Sequence, residues 1–375
     1  MNEAILRASQ PRVQATNGPE SRLECLLEAM TAAAIDAMLV TSDESIAYLT
    51  GFRPLQLERF FGVVVSPRGC AVIVPTLDAG QLEAAPAMLE RVVYGPQSDG
   101  LPEVVRALPG IRRVGVEEDH LSFGRGRELA DRGFELVSAS STVMDLRTQK
   151  AEAEIERIRA ACELVEAAIT DAFRRLRVGV TEAAVNAQVE AWLRDQGAEA
   201  VHPLILFGES AANPHGKPGK RQLHMGDVVC ADVSARLDGY WGDLTRCATI
   251  GPPSEWAQAA WQVVQEAQRL AIERCTVGVP ASAVDLAQRQ IVEAATELGS
   301  CLHGAGHGIG LAIHEPPFLI PRTERPLHDG NVLTIEPGIY HHEFGGIRIE
   351  DDVVVRRSGP ELLSRQPRQL TEVGA

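Results

Sequence analysis

The sequence predicts an α+β protein of two domains, in which a smaller α/β domain precedes a larger domain built from two similar halves. At 375 residues the chain is too long for one ordinary core, and 45% hydrophobic residues are enough to fill two. In the later part, two helical stretches followed by strand-like stretches occur twice. We expect residues 1–18 to be loosely ordered, residues 19–146 to form the first domain and residues 147–375 the second.

Short apolar runs alternate with helical patterns in the first domain. Apolar residues at helical spacing over residues 23–30 predict its first helix. The runs that predict strands of a covered sheet are AMLVT, FFGVVVS, CAVIVP, RRVGVEE and FELVSAS. This half contains no catalytic constellation, so we expect the chemistry to lie in the second domain.

Four helices are predicted in the second domain. Apolar residues at steps of three and four over residues 155–176 indicate a long amphipathic helix. A second helix begins after Thr181, a good N-cap, and stops at Gly197, a good C-cap. Two further helices are predicted at about 254–274 and 281–298. Strand-like segments follow each pair.

The composition limits the classes of binding partner and the cellular compartment that we expect. The formal charge of −15 argues against a nucleic-acid partner, because that binding depends on phosphate neutralisation by Lys and Arg. The seven cysteines are odd in number, scattered and never spaced as CxxC, so a disulfide framework is not expected and a reducing compartment is. No apolar run has the length of a signal peptide or a membrane span. We therefore expect a cytoplasmic protein without a membrane partner.

Five potential metal ligands lie in glycine-punctuated, strand-like stretches of the second domain. They are Asp232, Asp243, His307, Glu336 and Glu350. Four carboxylates buried together would cost many kcal/mol unless cations neutralise them. Two divalent ions would do so in full, so the charge balance favours a dinuclear site.

An Asp-Gly pair at residues 238–239 predicts a two-residue hairpin turn. That turn would set Asp232 opposite Thr245 and Asp243 opposite Ser234. The two aspartates are then diagonal neighbours on one face, about 7 to 8 Å apart at Cα, and both could reach one metal. Thr245 shares the face and is placed to hydrogen-bond a ligand oxygen. The alternative is a pair of solvated aspartates on an edge hairpin.

Two further stretches position acidic residues. In GGIRIEDDVVV, period-two alternation sets Arg348, Glu350 and Asp352 on one face. Arg348 would either orient a carboxylate or bind a substrate carboxylate, or form a structural ion pair with Glu350 or Asp352. Glu336 ends the apolar run VLTIE and precedes a Pro-Gly pair at 337–338, so a strand must break there.

Four histidines are candidates for the site. His307 stands among alternate glycines in HGAGHGIG, which permit close backbone approach to a ligand, and we predict it as the metal ligand. His303, His314 and His215 have the alternative of ordinary core, surface or loop histidines. Gly-x-Ser-x-Gly, Walker A and HExxH patterns are absent from the sequence, so serine hydrolase, P-loop and zincin interpretations have no support.

With these residues the chain resembles the creatinase, aminopeptidase P, prolidase and methionine aminopeptidase superfamily, whose catalytic domain has the pita-bread fold. All five ligand positions match in identity, order and local motif. RLECLLEAM, IDAMLV and SIAYLTGF resemble the N-terminal domain of creatinase, prolidase and aminopeptidase P. GHGIGLAIHEPP and GGIRIED most resemble the Xaa-Pro peptidases. The resemblance spans about residues 20 to 370.

The resemblance implies a role for each ligand. Asp232 would chelate one metal, and His307 and Glu336 would bind the other. Asp243 and Glu350 would bridge the two ions. Creatinase and some relatives lose these ligands, and this chain keeps all five.

The resemblance also implies the groups around the substrate. His215 and His314 would contact the scissile carbonyl or its tetrahedral intermediate, and Glu336 would carry a proton from water to the leaving nitrogen. His303 would lie beside the substrate, and Arg348 is our candidate for binding its carboxylate.

We therefore expect hydrolysis of the Xaa-Pro bond of dipeptides or short peptides by a hydroxide that bridges two metals. Oxygen-rich ligands favour Mn2+, with Co2+ and Zn2+ as alternatives. Two-domain members usually form dimers or larger assemblies, so a homo-oligomer is expected. One alternative is a metal-dependent hydrolase or lyase of a small non-peptide metabolite. A non-catalytic binding protein is a further alternative, against which the intact ligand set argues.

Overall fold

The computed structural model describes residues 18–55 and 57–374, and the chain divides into two compact units, Met1–Arg147 and Thr148–Ala375. The predicted loosely ordered segment 1–18 lies outside the described residues apart from Gly18. Among the described residues, no helix is both long and apolar enough to cross a membrane.

The first unit is a mixed six-stranded sheet with helices. Its helices are α1 (Pro19–Ala32), α2 (Asp43–Thr50), α3 (Leu101–Ala107), α4 (Phe123–Asp131) and α5 (Ser140–Thr148, which ends at the unit boundary), with a 3-10 turn at Ala79–Ala84. Its strands are β1 (Ala37–Val40), β2 (Gly62–Ser66), β3 (Gly69–Pro75), β4 (Leu89–Tyr94), β5 (Arg113–Val116) and β6 (Glu135–Ser138), in the order β4-β3-β2-β1-β5-β6.

All five strands predicted in this half form, and their apolar runs lie in the covered sheet. The sheet has one more strand, β4, which pairs with β3 in parallel at its edge. Its inner residues are largely exposed and include Glu90 and Arg91, so it lacks the apolar run that identified the other strands.

The second unit contains four helices and eleven strands among its described residues. The helices are α6 (Glu152–Arg175), α7 (Glu182–Asp195), α8 (Glu255–Arg274) and α9 (Ala281–Val292), with a 3-10 turn at Gly208–Ala212. The strands are β7 (Ala200–Phe207), β8 (Val228–Leu237), β9 (Tyr240–Ile250), β10 (Gly306–Gly308), β11 (Glu315–Leu319), β12 (Val332–Ile335), β13 (Gly338–His341), β14 (Gly345–Arg348), β15 (Asp351–Val354), β16 (Glu361–Leu362) and β17 (Thr371–Val373).

Three sheets organise these strands. One has the order β17-β9-β8-β7, one has the order β11-β10-β12-β15-β16, and β13 pairs with β14. An isolated bridge between Thr245 and Glu350 joins β9 to the segment between β14 and β15. Two helices followed by strands, repeated once, is the predicted order, and it is confirmed.

The four helices form where their apolar periodicity predicts them. The apolar stripe of α6 is buried, and α6 packs on β8 and β9, where Gly242 leaves room for the backbone at Cys162. Thr181 caps α7 by accepting a hydrogen bond from the Ala184 amide, 3.2 Å away. One boundary was wrong: α9 ends at Val292, six residues early, because the hydrogen bonds that follow span three residues instead of four.

Candidate metal centre and active site

The β8–β9 hairpin positions two carboxylates. Asp238 and Gly239 both have positive φ, 48° and 83°, as a type I′ turn requires. Asp232 pairs with Thr245 and Asp243 pairs with Ser234, as predicted. The Ser234 hydroxyl donates to Asp243 Oδ1 at 2.9 Å. Asp243 is buried and Asp232 is half-buried, so the alternative of two solvated aspartates is wrong.

Two breaks between strands position two more carboxylates. Glu336 follows β12 and precedes β13, so the predicted break is confirmed, and Glu350 lies between β14 and β15. The Glu350 amide donates to the Thr245 carbonyl at 3.1 Å, and the Thr245 hydroxyl donates to Glu350 Oε2 at 2.7 Å. Thr245 therefore makes the predicted kind of hydrogen bond, to a carboxylate of the candidate ligand set.

The alternation predicted for the last ligand strand is also confirmed. Arg348 Nε and Glu350 Oε2 both hydrogen-bond Thr245, and Asp352 accepts a bond from the backbone of β9. Asp351 points the opposite way, into a separate buried cluster. Glu350 and Asp351 therefore serve different surroundings although they are adjacent.

His307 lies on the short strand β10, where the chain passes very close to β12. A Cβ at Gly306 would collide with the Thr334 carbonyl, and Gly306 has a φ of 149° that favours glycine. His307 Nδ1 lies 3.0 Å from the Gly308 carbonyl, so it is the nitrogen that donates. Nε2 is left free as a ligand atom, 3.5 Å from Glu336 Oε1.

The candidate ligands converge on overlapping sets of three, in each of which one donor atom per residue lies within 4.8 Å of the others. The sets are Asp232 with Asp243 and Glu350, Glu336 with His307 and Glu350, and Asp243 with His307 and His314. Glu350, Asp243 and His307 each belong to two sets, whereas Asp232, Glu336 and His314 each belong to one. Of the three shared residues, only the two carboxylates have two oxygens with which to bridge ions. This sharing is what two neighbouring ions with two bridging carboxylates would require.

The electrostatics of these residues fit divalent cations. Burial, with the charge of Asp232 next, raises the pKa of Asp243 well above its usual value. Burial and the charge of Asp243 do the same to the pKa of Glu350, and burial raises the pKa of Glu336 to about 7. Burial lowers the pKa of His307 to about 3, so its imidazole is neutral and able to ligate. Cations would relieve the repulsion that raises the carboxyl pKa values.

Arg348 is the buried cation of the site. Its Nη2 pairs with Asp232 Oδ2 at 2.5 Å, Nη1 donates to Tyr340 Oη at 2.8 Å and Nε donates to Thr245 Oγ1 at 3.1 Å. The ion-pair partners offered by the sequence, Glu350 and Asp352, were wrong, because the partner is Asp232. All three nitrogens have protein partners, which favours orientation of Asp232, and the substrate-binding role of Arg348 stays a prediction.

Tyr340 is a site residue that the sequence reasoning missed. Its oxygen accepts from Arg348 and lies 2.7 Å from His303 Nε2. His303 Nδ1 donates to the Gly304 carbonyl at 2.9 Å, so Nε2 accepts the tyrosine proton. The pairing of β13 with β14 could have indicated Tyr340, because it shares a face with Arg348.

The other histidines border the ligand sets in different ways. The His314 ring lies 3.9 Å from that of His307, and His314 is exposed. His215 is exposed in the loop after β7 and acts electrostatically on His303 and His314. His303 has both ring nitrogens bonded to the protein, so direct contact with substrate stays a prediction. His202, on β7, is a neighbour of His314 that the sequence reasoning also missed.

Together the fold and the carboxylate-rich site define a metal-dependent hydrolase, and the family models make this specific. Residues 156–357 match the model of metallopeptidase family M24, and residues 22–149 match the Creatinase/Prolidase N-terminal domain. The chain belongs to metallopeptidase family M24. The predicted superfamily, its fold and the metallopeptidase class are confirmed.

Related proteins share most of the chain. It is 31% identical over 353 residues to the Xaa-Pro dipeptidase of Pyrococcus horikoshii, covering 93% of this chain and 98% of that one. The structure of dipeptidase PepE from Mycobacterium ulcerans is similar with a TM-score of 0.88 at 30% identity, covering 95% of this chain and 98% of that one. The X-Pro aminopeptidase of Thermotoga maritima is similar with a TM-score of 0.84 at 30% identity, covering 94% and 99%.

Proposed function

We propose that this metallopeptidase cleaves the Xaa-Pro bond of dipeptides with two divalent metal ions. The observation that carries the proposal is the pair of three-residue donor sets that meet at Glu350. Similarity to an Xaa-Pro dipeptidase and to a dipeptidase supports the substrate class.

Five residues would hold the ions. Asp232 would bind one ion, and His307 with Glu336 would bind the other. Asp243 and Glu350 would bridge them, in agreement with their membership of two donor sets. When bound, two such ions supply the charge that ionises a water and polarises the scissile carbonyl.

Proton transfer would fall to Glu336. Its carboxyl lies between His303 and His307, with Oε2 3.9 Å from His303 Nδ1 and Oε1 3.5 Å from His307 Nε2. Burial raises its pKa to about 7 without cations, and bound cations would lower it, so an ionised Glu336 would take a proton from the attacking water and pass it to the leaving nitrogen. Acid and base roles then belong to one residue.

His215 and His314 would donate hydrogen bonds to the developing oxyanion. Both are exposed, and no hydrogen bond to the protein occupies either ring among the described residues. Burial, with smaller contributions from His215 and His202, lowers the pKa of His314, so it would donate as a neutral imidazole. His303 and Arg348 remain candidates for substrate binding, and in the structure they contact Tyr340 and Asp232.

We further propose Mn2+ as the native metal, a homo-oligomeric state and a cytoplasmic location. Four oxygen-ligand residues and one imidazole suit Mn2+ better than Zn2+. No disulfide joins any of the cysteines in the described part of the chain, which suits a reducing compartment. Elemental analysis of the protein as purified and light scattering in solution test the metal and the assembly.

An X-Pro aminopeptidase activity is the second candidate, because a structure of that name is as similar over 94% of the chain. A substrate series separates the candidates. The Mn2+-loaded enzyme would be tested with Xaa-Pro dipeptides, with longer Xaa-Pro peptides and with small non-peptide amides. We expect proline release from dipeptides and at least tenfold slower cleavage of longer peptides.

The series includes its own controls. Xaa-Ala dipeptides matched in the first residue test the requirement for proline. Preferential cleavage of longer peptides would establish the aminopeptidase instead, and turnover confined to non-peptide amides would overturn both peptidase candidates.

A further inference from the structure

Cys230 and Cys247 face each other in the hairpin that carries Asp232 and Asp243. They are directly paired in the β8–β9 ladder, and both are buried. Cys230 lies two residues before Asp232, and Cys247 lies two residues after Thr245, on the same face of the sheet.

The geometry of the ladder brings their β-carbons close. Leu237 and Tyr240 flank the two-residue turn and form a hydrogen-bonded pair. Hydrogen-bonded and non-hydrogen-bonded pairs then alternate along the hairpin, so the Cys230–Cys247 pair is non-hydrogen-bonded. Its Cα atoms are expected about 4.5 Å apart. Disulfides span Cα separations of about 4.4 to 6.8 Å, so no strand has to move far.

The backbone hydrogen bonds support this count. In non-hydrogen-bonded pairs the backbone groups point away from the partner strand. Trp241 donates to the Gly310 carbonyl, Asp243 donates to Asp352, and the Thr245 carbonyl accepts from Glu350. These three residues alternate along β9 in the same phase as Cys247.

From this pairing we infer that Cys230 and Cys247 are an oxidisable pair that closes to a cross-strand disulfide beneath the metal site. With hydrogen peroxide, one thiol sulfur attacks the peroxide, forms a sulfenic acid and releases water. The second thiol then attacks that sulfur, and the S–S bond forms as another water leaves. Two thiols and one peroxide thus give one disulfide and two waters.

The pair is closed to solvent in this conformation, so a small oxidant reaches it through local opening of the structure. Cys230 borders a void too small to hold a water molecule, whose walls include Asn213 and Pro214, from the loop that carries His215, and Arg348. Buried Cys275 has no such cysteine partner, since the hydrogen bond of its thiol among the described residues is to the Ala271 carbonyl.

Oxidation would reach the metal site through Arg348. The Cys247 thiol donates to the Arg348 carbonyl at 3.3 Å, and the Arg348 side chain holds Asp232. The disulfide has no S–H, so this anchor of Arg348 is lost. Loss of a group that orients a metal ligand weakens metal binding by about 10- to 100-fold. This consequence rests on the proposed function, whereas the disulfide itself does not.

Peptide mapping of the full-length, metal-free enzyme tests the pair. After peroxide treatment, alkylation in denaturant and trypsin digestion, Cys230 is in peptide 222–236 and Cys247 in peptide 247–269. We expect these peptides joined, with the number of alkylatable thiols falling from seven to five. Recovery of both peptides unlinked, or linkage of either to a different cysteine, would overturn the inference.

Variants and a binding measurement complete the test. Cys247→Ala and, as a second variant, Cys230→Ala should abolish the link, whereas Cys275→Ala should retain it. Calorimetric titration with Mn2+ should show affinity about tenfold lower for the oxidised enzyme, restored by a phosphine reductant. Equal affinity in both redox states would overturn the coupling to Arg348, provided that Glu350→Gln weakens Mn2+ binding. If Glu350→Gln does not weaken it either, the proposed metal site is what fails.

Discussion

Two charged clusters lie on opposite faces of the segment from Arg348 to Asp352, and their charges are balanced in opposite ways. The front cluster comprises Asp232, Asp243, Glu336, Glu350 and Arg348. The rear cluster comprises Asp351, Arg246, Arg368, Gln268 and Ser364. In the rear cluster, the Asp351 carboxylate forms ion pairs with Arg246 at 2.6 Å and Arg368 at 2.5 Å. It also accepts a hydrogen bond from Gln268 at 2.9 Å. In the front cluster, four carboxylates have one arginine.

The difference in charge balance separates a functional role for Glu350 from a structural role for its neighbour Asp351. Two arginines face the single negative charge of Asp351, so this carboxylate needs no external ion and stabilises the fold. The front carboxylates have a deficit of cations, and burial with mutual repulsion raises the pKa of Asp243 and Glu350. A fold that keeps such a deficit does so where a ligand supplies the missing charge.

Glu350→Gln should give the largest effect. The amide keeps the size of the side chain but removes the carboxylate shared by two donor sets. We expect kcat/KM for an Xaa-Pro dipeptide to fall at least about 1,000-fold, or about 4 kcal/mol of transition-state stabilisation. The metal-free variant should be no less stable than wild type, because one repelling charge is gone. Glu343→Gln, at an exposed turn, is the control. Wild-type activity in Glu350→Gln would refute the dinuclear scheme.

Asp351→Asn breaks the rear cluster and should show the opposite pattern. It leaves the buried Arg246 guanidinium without its carboxylate, and uncompensated buried charge costs about 3 to 5 kcal/mol. Urea unfolding followed by circular dichroism should report that loss with metal present or absent. An Asp351→Asn protein as stable as wild type would show that the rear cluster does not stabilise the fold.

The contribution of Glu336 to the stability of the metal-free enzyme should fall as pH rises. Burial raises the pKa of Glu336 from 4.5 to about 7, so the folded state binds a proton that the unfolded state releases. The stabilisation that comes from protonated Glu336 is therefore fully present below about pH 4.5, and it is lost as the pH rises to about 7. Thermal melts in chelator at pH 5 and pH 7.5 should show it.

Metal and a variant serve as controls for this pH effect. Excess Mn2+ should remove the fall in stability, because cations favour the ionised carboxylates. Glu336→Gln should reduce the fall, since it removes one of the titrating groups. Burial lowers the pKa of His307 and of His303, which acts on stability in the opposite direction, so the test is the difference between wild type and Glu336→Gln. A difference in melting temperature between these two proteins that stays the same from pH 5 to pH 7.5 would contradict the raised pKa of Glu336.

Local patterns foretold the parts of the site that lie within one hairpin or strand. The Asp-Gly turn gave the register that pairs Asp232 with Thr245, and alternation separated Glu350 from Asp351. The Arg348–Asp232 pair could not be foreseen, because its partners are 116 residues apart and meet only through packing of different sheets. Edge strand β4 was missed because its apolar pattern is weak. The end of α9 was missed because the apolar pattern continues past the last helical residue.

Tyr340→Phe should give the smallest change of these variants. It tests whether the Tyr340 hydroxyl helps to position Arg348 in the front cluster. The change removes only the hydroxyl that accepts from Arg348 and donates to His303. Arg348 keeps its bonds to Asp232 and Thr245, so the site persists with a looser guanidinium. We expect Mn2+ affinity to fall about tenfold in calorimetric titration.

Tyr240→Phe is the matched control for this last change. Its hydroxyl is also buried and donates to Glu154 at 2.8 Å, outside both clusters. Tyr340→Phe loses two buried hydrogen bonds and Tyr240→Phe loses the one to Glu154, so each should lose about 1 to 2 kcal/mol of stability. Only Tyr340→Phe should lose metal affinity. Equal metal affinity in the two variants would mean that Arg348 orients Asp232 without help from Tyr340, and the front cluster would then depend on Arg348 and Thr245 alone.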